Sequence, residues 1–521
     1  MQFVLSAKKF FSKSFDFSKK EWLLFLAVLV TGTVLRAAFF FSTDLTWDES
    51  FHIMLAFKIG QLFLDYPIVF AGLLLFAALF LYFVLIRQNV FAAIVFCLIP
   101  ALAVFVLGVP ITFHPTHPPF FNFFEGTLIA LTGLGPELLG KLISSASSLL
   151  IAFSGFFLAK HLSGKKAGLI VFSLLALSPY SIFYSTTTYI VLLADALAFL
   201  ALTVFVIGLE TNSKLAPWAG LFFALSFFTR YTTLMVLLPI IVFAIFNKKT
   251  VLQKQSREKY LIFTIIIVGF LITLFPAIFS GFGNFLNWTK ANTADLYVRD
   301  FAHYSSFLVE TFGMHPVKAN LLFFVTEMNA FYSIVVPLLF LLAIAFFAWK
   351  KKKNVLVLVL LFFAYFVFYS LSKSFQDANY LLEMEFPMLL VCGIFLAELN
   401  KKNLQKGIVV ALVLIFLMQS IFLISIHNFK GLSQTVSSIP QDKIIMTDFI
   451  DPIRYYRQEY LFDTKINNKG LLFLEKLFNK PDQPPFKSTI VTYRAYLDDK
   501  SVNVDYAILT DFYFERGYTL E

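Results

Sequence analysis

The sequence predicts a mainly α-helical, polytopic membrane protein, and three observations carry that expectation. Of its 521 residues 59% are hydrophobic and only 14% charged, whereas soluble domains are roughly half apolar and about a quarter charged. The apolar residues come in long runs spaced along the chain, and about 17–25 such residues cross a bilayer. Lysine and arginine crowd into alternate connections between those runs, the pattern that sets membrane orientation. The net charge of +10 is therefore an orientation signal, and no nucleic-acid partner is expected.

Taken in order, the runs predict about thirteen spans, at 22–41, 66–86, 90–110, 138–160, 167–181, 188–209, 214–229, 232–247, 259–280, 320–349, 354–372, 385–399 and 407–427. The basic, aromatic lead-in "KKFFSKSFDFSKKEW" reads as the start of a retained first span. With the N-terminus inside, the inside connections hold about 22 Lys and Arg, among them "KK" at 165–166 and "KKKK" at 350–353. The outside connections hold about six: Lys58, Arg230, Lys290, Arg299, Lys318 and Lys373. That asymmetry predicts an odd number of spans with the C-terminus outside. Cys97 and Cys392 both fall inside apolar runs and predict neither a disulfide nor a thiolate metal site.

Three outside segments are too long to be turns. Residues 42–65 contain "SFHIMLAFKIGQLF", an amphipathic piece able to lie at the interface. Residues 281–318 are polar and aromatic, suited to capping a cavity. After residue 427 the composition changes, with strand-like runs "DKIIMTD", "STIVTYRAYL" and "DYAILTD" and a helical run "KGLLFLEKLFN". The expected organisation is a transmembrane unit over 1–427 and a small external α/β domain over 428–521.

Given that topology, polar residues far apart in sequence converge on one face. Asp44, Asp48, Glu49 and His52 follow the first span, and "FHPTHPPF" with His114, His117, Pro118 and Pro119 follows the third. "SPYSIFYSTTTY" ends at Tyr189, with Asp195 just inside the next span; Arg230 sits at an outer turn; "SKSFQDANYLLEMEFP" brings Lys373, Asn379 and Tyr380. Ionised groups are costly in a bilayer, so such a set marks a site between helices. Each member also has a plain reading: a solvated helix cap for the Asp48–Glu49 pair, helix packing for Asp195, a snorkelling side chain for Arg230. The His, Asp and Glu residues could ligate a metal, but no HExxH or comparable spacing occurs.

The acidic pair after the first span resembles the opening motif of the GT-C superfamily, the integral-membrane glycosyltransferases with a lipid-phosphate sugar donor. These include protein O-mannosyltransferases and the aminoarabinose transferase of lipid A. The resemblance continues through Pro118-Pro119, the long helix ending in a basic loop, "SP" at 178–179, Asp195, "AGLFFALSFFTRYTTLMVLLP" and "NYLLEMEFPMLL". About fifty extra residues, two spans, separate the acidic pair from the twin prolines. His52 stands where the family often has Tyr, His117 where a Lys often precedes the prolines, and Asn379 where an Arg precedes the Tyr. No "WWD" triplet occurs, unlike the oligosaccharyltransferase branch.

What the resemblance implies is a sugar moved, with inversion, from a polyprenyl (dolichyl-type) phosphate to a protein, glycan or lipid acceptor at the non-cytoplasmic face of a cell membrane. It implies Asp48 and Glu49 as catalytic residues and His117, Arg230 and Lys373 as donor-phosphate contacts. His52, His114, Asp195, Tyr189, Asn379 and Tyr380 would contact substrate. No cofactor is required, and a divalent metal is compatible. A non-catalytic glycolipid-binding relative and a lipid or sugar transporter remain the alternatives. A transporter would be expected to show internal repeats, which the sequence lacks.

Overall fold

A computed structural model describes residues 16–40, 47–107, 118–188, 190–290, 315–371, 380–426, 432–447, 453, 456–457, 490–492 and 504–508. The chain opens with α1 (Lys19–Phe40), α2 (Trp47–Asp65), α3 (Pro67–Phe80, continued by a π-helical turn Leu81–Ile86) and α4 (Val90–Leu107). Then come α5 (Phe120–Thr132), α6 (Pro136–Ser163), α7 (Lys165–Ala176), α8 (Pro179–Tyr184), α9 (Ile190–Glu210) and α10 (Ala216–Phe227). A 3-10 turn Tyr231–Val236 leads into α11 (Leu237–Phe246), α12 (Lys248–Leu252) and α13 (Lys254–Lys290). The second half holds α14 (Pro316–Tyr332), α15 (Val335–Trp349), α16 (Lys353–Leu371), α17 (Leu381–Glu398), α18 (Lys402–Ile426) and α19 (Leu432–Ser438).

Six described stretches are long and apolar enough to cross a bilayer: Lys19–Ala38, Pro67–Ile86, Pro136–Ser163, Ile190–Glu210, Lys353–Ser370 and Lys402–Leu423. Burial ranks them. In α9 83% of the most apolar window is enclosed by protein, against 17% for Pro67–Ile86 and 22% for α1 and α18. The centre is thus α9 with α6, α7 and α17 around it, joined in one apolar core that includes the Phe199–Phe386 stack, centroids 4.0 Å apart. The leucines and valines exposed on α1, α3 and α18 are suited to lipid contact.

The connections expected inside meet at one end of the bundle. Lys165 pairs with Glu21 at 2.9 Å, His161 with Glu210 at 3.0 Å, and Lys352 with Glu398 at 3.0 Å. Ser163 also donates to Glu398 at 3.1 Å, and Gln88 to the Lys214 carbonyl at 2.8 Å. Helix ends there follow local rules. Ser18 and Glu21 form a reciprocal capping box at the start of α1. Gly164 takes the left-handed φ of 87° that lets α6 stop and α7 begin.

Three expectations about the spans are corrected. The run 320–349 is two helices, because Pro337 lacks an N–H and its ring crowds the carbonyl four residues back, so the chain breaks at Ser333, φ 58°. Residues 232–247 begin as a 3-10 turn before α11. Residues 381–384, placed in an outer connection ahead of the span expected at 385–399, form the first turn of the buried helix α17; Glu383 and Glu385 are accommodated by partners described below.

The amphipathic piece is α2, and it packs against α5. A Cβ on Gly126 would lie 2.8 Å from the Ala56 carbonyl oxygen and 2.9 Å from Ile59 Cγ2, so the backbones touch there. Gly126→Ala is expected to lower stability by about 1–3 kcal/mol, read as a fall in the thermal midpoint of purified protein. Gly72→Ala, where a Cβ meets no atom within 4 Å, is the control and should move it little.

Three short strands form at the three runs read as strand-like: β1 (Ile445–Thr447), β2 (Ile490–Thr492) and β3 (Tyr506–Ile508), all parallel, in the order β2-β1-β3. The Ile444 amide and then Lys443 hold the Asp505 carboxyl below its usual range, tying the approach to β1 to that of β3. The helical run at 469–479 lies outside the described residues.

Candidate active site

The described members of the predicted set lie toward the end of the bundle away from the basic connections. Asp48 and Glu49 occupy the first turn of α2; only their backbone belongs to the described part of the chain. One turn on, His52 is buried with Nδ1 3.2 Å from Asn122 Oδ1 and its ring edge-on to Phe121. Asp48 precedes His52 by a turn as Pro118 precedes Asn122. Both helix starts therefore lie on the side of the α2–α5 crossing where His52 meets Asn122.

The twin prolines are next to the arginine turn. Phe120, directly after Pro119, donates its amide to the Phe228 carbonyl at 3.0 Å. Two residues further is Arg230, at the point where α10 has ended and the backbone is extended, φ −155°. The turn is pinned to the central helix by Ser226 Oγ, which donates to the Ala194 carbonyl at 2.7 Å. The next residue on α9 is Asp195.

Arg230 is not a bare cation. Its Nε lies 3.3 Å from Glu383 Oε1, and its guanidinium carbon sits 5.0 Å from the centre of the Tyr380 ring, which stacks on Tyr369. Thr232 Oγ1 donates to Glu383 Oε1 at 2.5 Å, and the Tyr369 hydroxyl donates to Glu383 Oε2. Arg230 is 5% exposed and Glu383 0%. A buried pair of this kind holds together because each charge would otherwise lack any compensation. Asp195, 0% exposed, is within electrostatic reach of Arg230, Glu383 and Glu385, and neither of its oxygens has a hydrogen-bond partner among the described residues.

Glu385 lies on the other side of α17. Ser181 Oγ donates to its Oε2 at 2.8 Å. Ser148 Oγ in turn donates to the Ser181 carbonyl at 3.2 Å and accepts from Arg36 at 2.6 and 3.2 Å. Arg36 spends its remaining nitrogen on the Gly32 and Ala176 carbonyls at 2.9 and 2.8 Å.

The structure thus brings together Arg230, Tyr380 and Asp195, and joins them through Phe228 and Phe120 to the helix bearing His52 and the backbone of Asp48 and Glu49. His114, His117, Tyr189, Lys373 and Asn379 lie outside the described residues, as do the side chains of Asp48 and Glu49. Sequence reasoning did not single out Glu383, Glu385, Tyr369, Thr232 or Arg36. A signal existed: two acids within "LLEMEF" and an arginine inside the first apolar run are intramembrane charges, each requiring a partner. Among the described residues no group of three or more His, Cys, Asp or Glu side chains is disposed to hold a metal.

Residues 116–275 match the family model described as dolichyl-phosphate-mannose-protein mannosyltransferase. No curated protein sequence matches the chain. Among solved structures, ArnT from Cupriavidus metallidurans bound to undecaprenyl phosphate is similar at 13% identity with a TM-score of 0.47, covering 87% of this chain and 95% of ArnT. The Archaeoglobus fulgidus oligosaccharyltransferase, tethered to an acceptor peptide, is similar at 10% identity with a TM-score of 0.50, covering 84% of this chain and 63% of that one. The present chain therefore spans less than two thirds of the oligosaccharyltransferase, and this likeness is one of fold. The segment that matches the mannosyltransferase family model thus runs from the twin prolines through Asp195 and Arg230 into α13, within a helical membrane fold like that of the oligosaccharyltransferase.

Proposed function

We propose that the protein moves a sugar from a polyprenyl-phosphate donor to an acceptor hydroxyl at the non-cytoplasmic face of the membrane, inverting the anomeric centre. The observation that carries this reading is the overlap of two independent facts. The segment matching a dolichyl-phosphate-mannose-dependent family is the segment that joins Pro119–Phe120 to the Arg230 turn and to Asp195. A donor of this class keeps its isoprenoid tail in lipid and its phosphate at the interface, so its binding site must lie at one end of a helical bundle and be open to both phases.

In the proposed step the acceptor oxygen attacks C1 of the sugar, and the C1–O bond to phosphate breaks with its electron pair leaving on the prenyl phosphate. The acceptor proton passes to Asp48. Proton removal by a placed carboxylate contributes about 10²–10⁴-fold. Glu49 orients the acceptor. Arg230, with His117 and Lys373, takes the charge that develops on the departing phosphate, each preorganised cation contributing on the order of 3 kcal/mol. Arg230 suits this role because Glu383 engages it through Nε, the Tyr369 hydroxyl accepts from Nη2 at 3.5 Å and Tyr380 supports its face, leaving the Nη1 N–H groups for a phosphate. His52, His114, Asp195, Tyr189, Asn379 and Tyr380 are proposed to contact substrate. The step needs no cofactor, and a divalent metal would be an optional addition.

Residues 428–521 are proposed as an external domain that recognises or gates the acceptor, with plain structural packing as the alternative. The test of the whole reading is transfer from a panel of polyprenyl-phosphate sugars, followed by mass spectrometry of both lipid and acceptor. Stoichiometric release of prenyl phosphate with a glycosylated acceptor is expected. Binding of donors without cleavage of any sugar–phosphate bond would favour the glycolipid-binding alternative.

A further inference from the structure

Helix α17 is held by carboxylates on two faces. Glu383 and Glu385 are two residues apart, which at about 100° per residue turns them some 200° around the helix. The first faces Arg230, Thr232 and Tyr369. The second faces Ser181, whose carbonyl is tied through Ser148 to Arg36. Between them Phe386 lies flat against Phe199, four residues after Asp195 on the central helix. Arg36, Ser181 and Glu385 are all at most 2% exposed.

A buried carboxylate and guanidinium are a poor way to glue helices together, since apolar residues of similar volume often stabilise as well or better. What polar contacts supply and apolar ones do not is direction. Resting on the reading of the site given above, we propose that Glu385, with Ser181 and Arg36, is a positioning device for the donor-phosphate site. It sets the rotation of α17 about its axis so that Glu383 and Tyr380 meet Arg230. Ser181 belongs to α8, Ser148 to α6 and Arg36 to α1, so three elements outside the site share in aiming one helix within it. Loss of that aim would shift the guanidinium, and a displacement of about 1 Å at a reacting group can cost up to about 10²-fold.

The test uses three variants of the full-length protein. Glu385→Leu keeps the volume and removes the acceptor, Glu385→Gln keeps an oxygen for Ser181, and Ser181→Ala removes the donor. Each is assayed for affinity toward a polyprenyl phosphate, for kcat and donor KM, and for thermal midpoint. Glu385→Leu is expected to weaken polyprenyl-phosphate binding and raise donor KM by about tenfold, with some fall in thermal midpoint because Arg36 and the Ser181 hydroxyl lose their acidic partner. Glu385→Gln should restore binding to within about twofold, and Ser181→Ala should fall between them. The proposal is overturned if Glu385→Leu binds the phosphate as wild type does. It is equally overturned if the loss tracks a lowered thermal midpoint and Glu385→Gln fails to rescue it. Binding needs no chemistry, so a wild-type protein that binds the lipid but transfers no sugar would fail the functional reading alone and leave this inference to be decided by the binding shifts.

Discussion

Asp48→Asn is expected to lower sugar transfer by about 10²–10⁴-fold while leaving donor affinity within a fewfold of wild type. An amide has nearly the shape of the carboxylate but cannot accept the acceptor's proton, so the loss should appear in kcat and not in binding. Asp48 is in the first turn of α2, where a carboxylate also favours the helix N-terminus by roughly 0.3–1 kcal/mol. A small drop in thermal midpoint is therefore expected beside the large drop in rate. Glu49→Gln, altering a residue assigned to orientation, should cost less and show more in acceptor KM. Single-turnover measurement of sugar release from the best donor checks both. An Asp48→Asn protein with undiminished turnover would remove the base assignment, whatever the fate of the rest.

The largest effect on stability should come from Arg230. Removing one partner of a buried ion pair leaves the other charge uncompensated, a loss of about 3–5 kcal/mol. Arg230→Met strands Glu383, which is 0% exposed and hydrogen-bonded by Thr232 and Tyr369. The double variant Arg230→Met/Glu383→Leu replaces both charges by apolar groups and should regain most of the lost thermal stability. It should not regain polyprenyl-phosphate binding. The cycle thus separates two roles that a single substitution confounds: Arg230 as the partner of Glu383, and Arg230 as the proposed phosphate contact. A double variant that recovers both stability and binding would mean that the phosphate is held elsewhere.

The architecture was legible because its two determinants are local. Apolar runs mark helices, and basic connections mark one end; the contacts Lys165–Glu21 and Lys352–Glu398 place those connections together. Legibility ended where a long-range partner reverses a local rule. Glu383 fell in an outer connection and Glu385 at the very start of a span, and it is Arg230, 153 positions before Glu383 in the chain, with Thr232 and Tyr369, and Ser181 that make the two acids tolerable inside a helix. Arg36 escaped for the same reason: its acceptors are Ser148 and two carbonyls, which no periodicity reveals. The break at Ser333 was visible in principle, since Pro337 lies four residues on, but a continuous apolar run hid it. Asp195 and Arg230 were readable because a lone charge beside an apolar run stands out; that α10's end and α9 place them near one another is a tertiary fact, carried by Ser226 and the Ala194 carbonyl.

The proposed reaction leaves the sugar and the acceptor open but requires a prenyl-linked phosphate, which therefore offers the most direct measurement. Purified protein would be titrated with a polyprenyl phosphate and, separately, with the matching polyprenol, following the thermal midpoint and the bound lipid by native mass spectrometry. A ligand at 100 times its Kd stabilises by about 2.7 kcal/mol, so the phosphate should raise the midpoint clearly, the alcohol should not, and the Arg230→Met/Glu383→Leu protein should lose the difference. Equal stabilisation by alcohol and phosphate, or a phosphate effect that survives in that double variant, would contradict the assignment of this end of the bundle to a lipid-phosphate sugar donor.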